Sequence, residues 1–117
     1  MSVNYSENRP WGSFTHLYDT KYTKVKTITV QPHQRLSLQS HKQRSENWTV
    51  VKGIATIWLD DTIKDLNIGE SIFIKVGSKH RLENKTDEII EIIEVQTGTY
   101  FGEDDIIRYE DDYNRNQ

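Results

Sequence analysis

Four side chains in this 117-residue chain have the types and spacing to hold a divalent metal: Gln39, His41, Glu46 and His80. In Gln39-Ser-His41 the first and third residues stand two apart, so on an extended chain both side chains project from one face. Glu46 follows after a short loop and opens an apolar run, Trp48-Thr-Val-Val-Lys-Gly53. His80 lies far downstream, in Gly77-Ser-Lys-His80-Arg-Leu-Glu-Asn84. Two imidazoles, a carboxylate and an amide at strand edges suit Zn, Mn, Fe, Co or Ni, and the donor set does not choose among them. Gln39 is the weakest donor of the four; its amide oxygen either ligates or orients a water. His16 and His33 lie outside the pattern and read as surface residues.

Strands must carry these groups. Tyr22 to Gln31 alternates, with Lys24, Lys26, Ile28 and Val30 on one face and Val25, Thr27 and Thr29 on the other, and Pro32 ends it. Arg35 to His41 is a second strand, with Arg35, Ser37, Gln39 and His41 in one phase. Glu46 to Lys52 and Ile54 to Leu59 follow, rich in β-branched and aromatic residues and divided by Gly53. Asp60-Asp-Thr is a hairpin turn. Lys64 to Ile68 and Ser71 to Ile74 are short strands around Asn67-Ile-Gly-Glu70; His80 to Asn84 and Glu88 to Gln96 complete the set. In the last of these the paired apolar residues also fit a helix, but Ile and Val dominate and a turn precedes it, so a strand is expected. About eight short strands and no convincing helix predict an all-β jelly roll or barrel.

The ends are less regular. Residues Met1 to Asn8 are polar and read as loose, and Arg9-Pro-Trp-Gly12 is a turn signal in which Trp11 reads as a lid on the core. Trp48 and Trp58 read as core. The acidic tail from Gly102 to Tyr113 reads as a solvated cover packed by Ile106, Ile107 and Tyr109.

Composition bounds the rest. The length suits one domain, 1–117, with a core of about residues 20–100 between an N-terminal arm and the acidic tail. A net charge of −3 argues against a nucleic-acid partner. Absence of cysteine removes disulfides and thiolate zinc sites. No apolar run approaches the ~18 residues of a membrane span, and the first residues lack a signal-peptide pattern, so no membrane partner and a cytoplasmic location are expected. Apolar residues on both faces of Glu88 to Gln96 imply a covered outer face, and hence a homodimer.

The spacing resembles a known family. Cupins carry G-x5-H-x-H-x3,4-E-x6-G and G-x5-P-x-G-x2-H-x3-N. This chain has His33-x5-Gln39-x-His41-x4-Glu46-x6-Gly53 and Gly69-x5-Lys75-x-Gly77-x2-His80-x3-Asn84. The closer resemblance is to the cupin domain of type II mannose-6-phosphate isomerases. It rests on Arg9-Pro-Trp-Gly12, Arg35-Leu-Ser-Leu-Gln39, Arg44-x-Glu46-x-Trp48, Lys79-His-Arg-Leu-Glu-Asn84, Glu94-Val-Gln96 and Gly102-Glu-Asp-Asp105, which cover nearly the whole chain. The pattern departs from that family at Lys42, Gln43 and Asn47, where the family is rich in histidine. His33 replaces a turn glycine and Lys75 a turn proline.

The resemblance implies a single-domain cupin, a double-stranded β-helix, holding its metal with Gln39, His41, Glu46 and His80. It implies a metal-dependent sugar-phosphate isomerase standing alone, converting mannose 6-phosphate to fructose 6-phosphate, with a phosphorylated hexose as partner. In larger members the cupin follows a GDP-mannose pyrophosphorylase domain, which these residues do not contain, so GDP-mannose synthesis is not expected. Isomerisation needs a base, for which Glu46 is the first candidate. Glu83 is out of phase with His80 and should face away. The phosphate needs cations, and Arg35, Arg44 and Lys24 are the candidates. Two other readings stay open: a non-catalytic metal-holding sugar-binding or regulatory cupin, and a non-haem iron dioxygenase.

Overall fold

A computed structural model describes residues 5–114. Eleven strands follow in order: β1 Tyr5–Arg9, β2 Gly12–Asp19, β3 Thr23–Val30, β4 Leu38–Ser40, β5 Arg44–Lys52, β6 Ala55–Leu59, β7 Thr62–Leu66, β8 Ser71–Ile74, β9 His80–Glu83, β10 Ile90–Gly98 and β11 Ile107–Glu110. Among the described residues there is no helix. The strands form two antiparallel sheets, one in the order β1-β2-β3-β10-β5-β8 and the other β11-β4-β9-β6-β7. Their inner faces enclose the core, as in a jelly roll.

The inner faces are layered along the strands, and register makes the layers coincide. On β10 the inward residues run Ile90, Ile92, Glu94, Gln96. Ile92 pairs with Ile28 of β3 and Val50 of β5; two residues on, Glu94 pairs with Lys26 and Trp48; two further, Gln96 pairs with Lys24 and Glu46. Three adjacent strands therefore change from apolar to polar at the same height. Val30, Ile57, Leu82, Ile90 and Ile92 pack the apolar half and are fully buried. The other half is a cup lined by charge. A core of this kind holds the sheets together while leaving their far ends free for chemistry.

Several expectations change here. The N-terminal segment read as loose contains β1, which pairs with β2 in a hairpin, and Trp11 and Phe14 both join the core; residues 1–4 lie outside the described residues. The strand expected from Arg35 to His41 shrinks to β4, with Arg35 contributing an isolated bridge to Glu83. Within the tail read as a solvated cover, β11 pairs with β4, and Ile107 and Tyr109 keep much of their surface exposed. Trp58 is not core: it is half-buried on the outer side of its sheet, with Arg81 at 5.0 Å and Arg35 at 5.7 Å from its ring and its Nε1 donating to Glu83. That contact takes Glu83 away from the cavity, as its phase requires. His16 is buried, its Nε2 donating to the Glu7 carboxylate and its ring stacked on Tyr5.

Two glycines are required by close approach. A Cβ on Gly12 would stand 2.0 Å from the Thr29 carbonyl oxygen, and one on Gly98 would stand 2.2 Å from that of Gln43, both with φ near +150°. Backbone cannot yield as a side chain would. Gly98 pairs with Arg44 and so sets where β5 enters the cup. Gly98→Ala is expected to lower the unfolding free energy by about 2 kcal/mol or more in urea denaturation; an unchanged midpoint would show that the β10–β5 end is looser than its geometry.

Candidate metal centre

His41, Glu46 and His80 meet inside the cup. One ligand atom from each lies within 4.8 Å of the others, and all three residues are buried. Glu46 is carried by β5, His80 by β9, and His41 by the turn between β4 and β5. The orientation of each imidazole is fixed from behind. His41 Nδ1 donates to the Asp105 carbonyl oxygen at 2.7 Å, and His80 Nδ1 to that of Ser78 at 2.9 Å. A nitrogen facing a carbonyl must carry the proton, so both rings turn a bare Nε2 lone pair inward. His41 Nε2 stands 3.2 Å from Glu46 Oε2, and His80 Nε2 stands 3.8 Å from Glu46 Oε1. His80 Nε2 is buried with no hydrogen-bond partner. An orphaned lone pair aimed at a carboxylate is what a cation would satisfy, so the residues fit a metal ion.

Gln39 pairs with His80 in register and lines the same cavity. Its Nε2 donates to Ser37 Oγ at 2.8 Å, which leaves Oε1 as its available acceptor. The fold thus clusters three of the four residues named from sequence, His41, Glu46 and His80, and sets Gln39 beside His80.

The cations divide differently. Arg44, expected in a loop, begins β5 and is buried; its Nε donates to Glu46 Oε2 at 2.8 Å, and its Nη2 lies 3.3 Å from His41 Nε2. Arg35 pairs with Asp112 through two hydrogen bonds, outside the cavity lining. Lys24 turns its ammonium to the Phe101 carbonyl oxygen, also outside that lining. Arg9 and Lys26 do line the cavity, and neither was singled out as a phosphate ligand. Lys26 was visible as the inward neighbour of Lys24 in phase; nothing in the pattern near Arg9 marks it.

Glu94 was also missed as a site residue. Trp48 Nε1 donates to Glu46 Oε1 at 2.9 Å and to Glu94 Oε1 at 3.0 Å, and Gln96 Nε2 donates to Glu94 Oε2 at 2.7 Å. The signal was available: Glu94 and Gln96 sit on the inward phase of a strand whose other inward residues are isoleucines. The two carboxyls titrate in opposite directions. Burial works to raise Glu46, but the electropositive surround of His80, Arg44 and His41 outweighs it and holds the carboxyl well below its ordinary range. Burial, reinforced by the neighbouring Glu46, pushes Glu94 up to about 8, against the weaker pull of Lys26 and Arg44. Burial likewise takes His41 down to about 4.

The departures at Lys42, Gln43 and Asn47 do not touch the cavity. All three are exposed, and what matters of Lys42 and Gln43 is the backbone, whose amides donate to the Asp105 carboxylate.

Two sheets closing on a buried His/Glu cluster define a cupin, a double-stranded β-helix. A structure from Klebsiella pneumoniae described as having a double-stranded beta-helix domain matches with a TM-score of 0.72 at 21% identity, covering 82% of each chain. The chain belongs to the family described as mannose-6-phosphate isomerase C-terminal, whose model matches residues 2–111. It is 44% identical over 108 residues to a mannose-1-phosphate guanylyltransferase of Salmonella montevideo. It is 49% identical over 107 residues to the alginate biosynthesis protein AlgA of Pseudomonas aeruginosa. Each match covers 92% of this chain but only 23% and 22% of those proteins. This corrects the expectation of an isomerase standing alone. The relatives are long proteins named for guanylyl transfer and polysaccharide biosynthesis, and this chain corresponds to under a quarter of them.

The opposed titrations give a signed pH test on chelator-treated protein. Glu94 binds its proton more tightly folded than unfolded, so its contribution is fully present below the unfolded value near 4.5 and is lost as pH rises through about 8. His41 contributes the opposite slope, which fades about one unit above its unfolded value of 6.5. Between about pH 7.5 and 8.5 the Glu94 slope therefore dominates that of His41. Stability should fall there by at most about 1.4 kcal/mol per pH unit, and Glu94→Gln should flatten the profile. A wild-type profile already flat across that window would show Glu94 ionised.

Proposed function

We propose that this chain is a metal-holding cupin domain that binds a phosphorylated hexose, serving as a binding or regulatory module in the synthesis of activated sugars for polysaccharides. One observation carries the reading: His80, the Glu46 carboxylate and the cations Lys26, Arg44 and Arg9 line one cavity, and His41 completes the cluster beside Glu46 and His80. A metal site alone needs no cations around it, and an anion site alone needs no aimed histidines. Sugar hydroxyls with a phosphate ester ask for both. The relatives named for mannose-1-phosphate and for alginate and xanthan biosynthesis support mannose 1-phosphate as the first ligand to try.

His41, His80 and Glu46 would hold the ion, with Gln39 Oε1 as a fourth donor; Zn, Mn, Fe, Co and Ni all suit this set. Such an ion supplies a charge that sugar oxygens can ligate. The protein's own groups do the rest. Asp105 and Ser78 keep the imidazoles oriented, Trp48 and Arg44 hold the Glu46 carboxylate, and Glu94 stays neutral beside it. The ligand class is cytoplasmic in character, and we place the chain there; among the described residues no helix is long and apolar enough to cross a membrane.

The test is elemental analysis of protein purified without added metal, followed by calorimetry with mannose 1-phosphate and mannose 6-phosphate before and after chelation. About one equivalent of a divalent metal is expected, falling to background in His80→Ala. Sugar-phosphate affinity should drop at least about tenfold on chelation. Equal affinity with and without metal would overturn the joint site.

We further propose a homodimer through the outer face of the six-stranded sheet. Two rows cross five strands there without a charge: Tyr18, Val25, Val95, Asn47, Phe73, and beside them Thr15, Thr27, Ile93, Thr49, Ser71. In a chain with 28% charged residues, such a face is the composition of a covered surface. The two rows cover about 24 Å across the strands and about 14 Å along them, roughly 340 Å² of projected face, the centre of an interface whose standard size is ~800 Å² per partner. A neutral face is complementary to itself, which favours a second copy. Sedimentation should give a dimer for the wild type and a monomer for Val95→Glu; a monomeric wild type at high concentration would remove the proposal.

A further inference from the structure

The cavity is too small for the ligand it is shaped to bind. Its volume is about 70 Å³, against the ~300 Å³ at the low end of small-molecule sites. What fills the rest is the tail. Glu103, Ile106 and Arg108 line the cavity from the C-terminal side. Glu103 Oε2 accepts from Lys26 Nζ at 3.2 Å, and its side chain is 49% exposed while that of Lys26 is 5% exposed. A buried ammonium is thus joined to a carboxylate that reaches in from solvent. Lys26 also stands 4.1 Å over the Phe14 ring, with the Arg9 guanidinium 4.6 Å from the same ring. The only other carboxylate near Lys26 in the described structure is Glu94, 4.0 Å away.

We propose that Lys26, with Arg9 and Arg44 beside it, is an anion subsite for a phosphate monoester, and that Glu103 is a built-in competitor occupying it. This rests on the sugar-phosphate reading and deepens it, placing the phosphate at Lys26 instead of at Arg35 or Lys24. The geometry of the tail suits displacement. It is attached around the cup by polar contacts: Phe101 and Gly102 carbonyls to Lys24 and Arg44, Asp105 to the His41 ring and the 42–43 amides, and Tyr109 to Ser40. Glu103 itself touches only the lysine among the contacts that hold the tail. Its carboxylate can swing out to water while Asp105 keeps its grip behind His41. A phosphate oxygen then takes its place, so the buried ammonium has an anionic partner both before and after the exchange. The tail carboxylate that seemed to cover the site is, on this account, the stand-in for its ligand.

The experiment uses the full chain in metal-loaded and chelator-treated forms, titrated with inorganic phosphate and with mannose 1-phosphate. Four proteins are compared: wild type, Glu103→Gln, Lys26→Met and Lys26→Arg. Glu103→Gln should bind inorganic phosphate about tenfold or more tightly than wild type, in both metal states, because the competing charge is gone. Lys26→Met should abolish that gain, and Lys26→Arg, which keeps the buried cation, should retain most of it and controls for folding. Equal phosphate affinity in wild type and Glu103→Gln overturns the subsite. If that equality occurs while wild type still binds mannose 1-phosphate in a metal-dependent way, the sugar-phosphate reading survives and only the competitor falls. If phosphate binding rises in Glu103→Gln but no variant binds the sugar phosphate, the subsite stands and the sugar reading falls.

Discussion

A carboxylate sealed inside a protein must be compensated, and the Glu46 carboxylate organises the cup around that need. Both of its oxygens are engaged, Oε2 by Arg44 Nε and Oε1 by Trp48 Nε1, while the Nε2 atoms of His41 and His80 stand 3.2 Å and 3.8 Å away as further potential donors to an ion. Each partner arrives from a different place in the chain, and each is fixed in turn by something else. Trp48 is core, so its indole N–H is aimed by packing. The two imidazoles are aimed by carbonyl oxygens of Asp105 and Ser78. Removing one partner would leave charge buried without its counterpart, which costs several kcal/mol. The apolar half of the barrel must be well packed to carry this, and it is.

The same constraint explains Glu94. Two carboxylates share one indole donor, and a second negative charge there would lie beside the first. Keeping Glu94 neutral resolves the conflict at the cost of raising its proton affinity. A divalent cation among His41, Glu46 and His80 would relieve it differently, by adding positive charge to the pair. Proton and metal are therefore linked: occupancy of the ion site lowers the affinity of Glu94 for its proton, and a protonated Glu94 leaves Glu46 as the sole full charge to attract the ion.

How much of this could be read from sequence follows from the range of each signal. The cluster of His41, Glu46 and His80, with Gln39 beside it, was legible because short spacings on strands translate directly into shared faces: Gln39 and His41 two apart, Glu46 at a strand start, His80 after a glycine turn. His33 was read as replacing a turn glycine, and its φ of +61° is the left-handed conformation that such a position demands. Long β-branched strands were legible for the same local reason. The N-terminal hairpin was not, because Tyr5 to Asp19 alternates polar residues with only Phe14, His16 and their neighbours on the core side, and its strand character comes from pairing with β3. Arg35 illustrates the other limit. Its phase matched Gln39, but the strand does not extend back to it, and Asp112, 77 residues away, captures it. Phase predicts direction only while the strand lasts.

The tail was the least legible part, and the reason bears on function. A run rich in Asp and Glu looks like a solvated face, because sequence cannot show which cations lie opposite. In the fold, Glu110 meets Arg81, Asp112 meets Arg35, Asp105 caps two amides and Glu103 meets Lys26. The first three secure the tail away from the cavity, and Arg81, fully buried, also bonds the Leu36 carbonyl oxygen, so that end is firmly held. Of these four carboxylates only Glu103 lines the cavity, and it does so from an exposed position through its ionic contact to Lys26. Local opening starts where few apolar contacts hold and solvent is close. The segment is therefore anchored on both sides of Glu103, and only that side chain is free to exchange its partner, so the backbone of the cup can stay in place while the charge at Lys26 is traded.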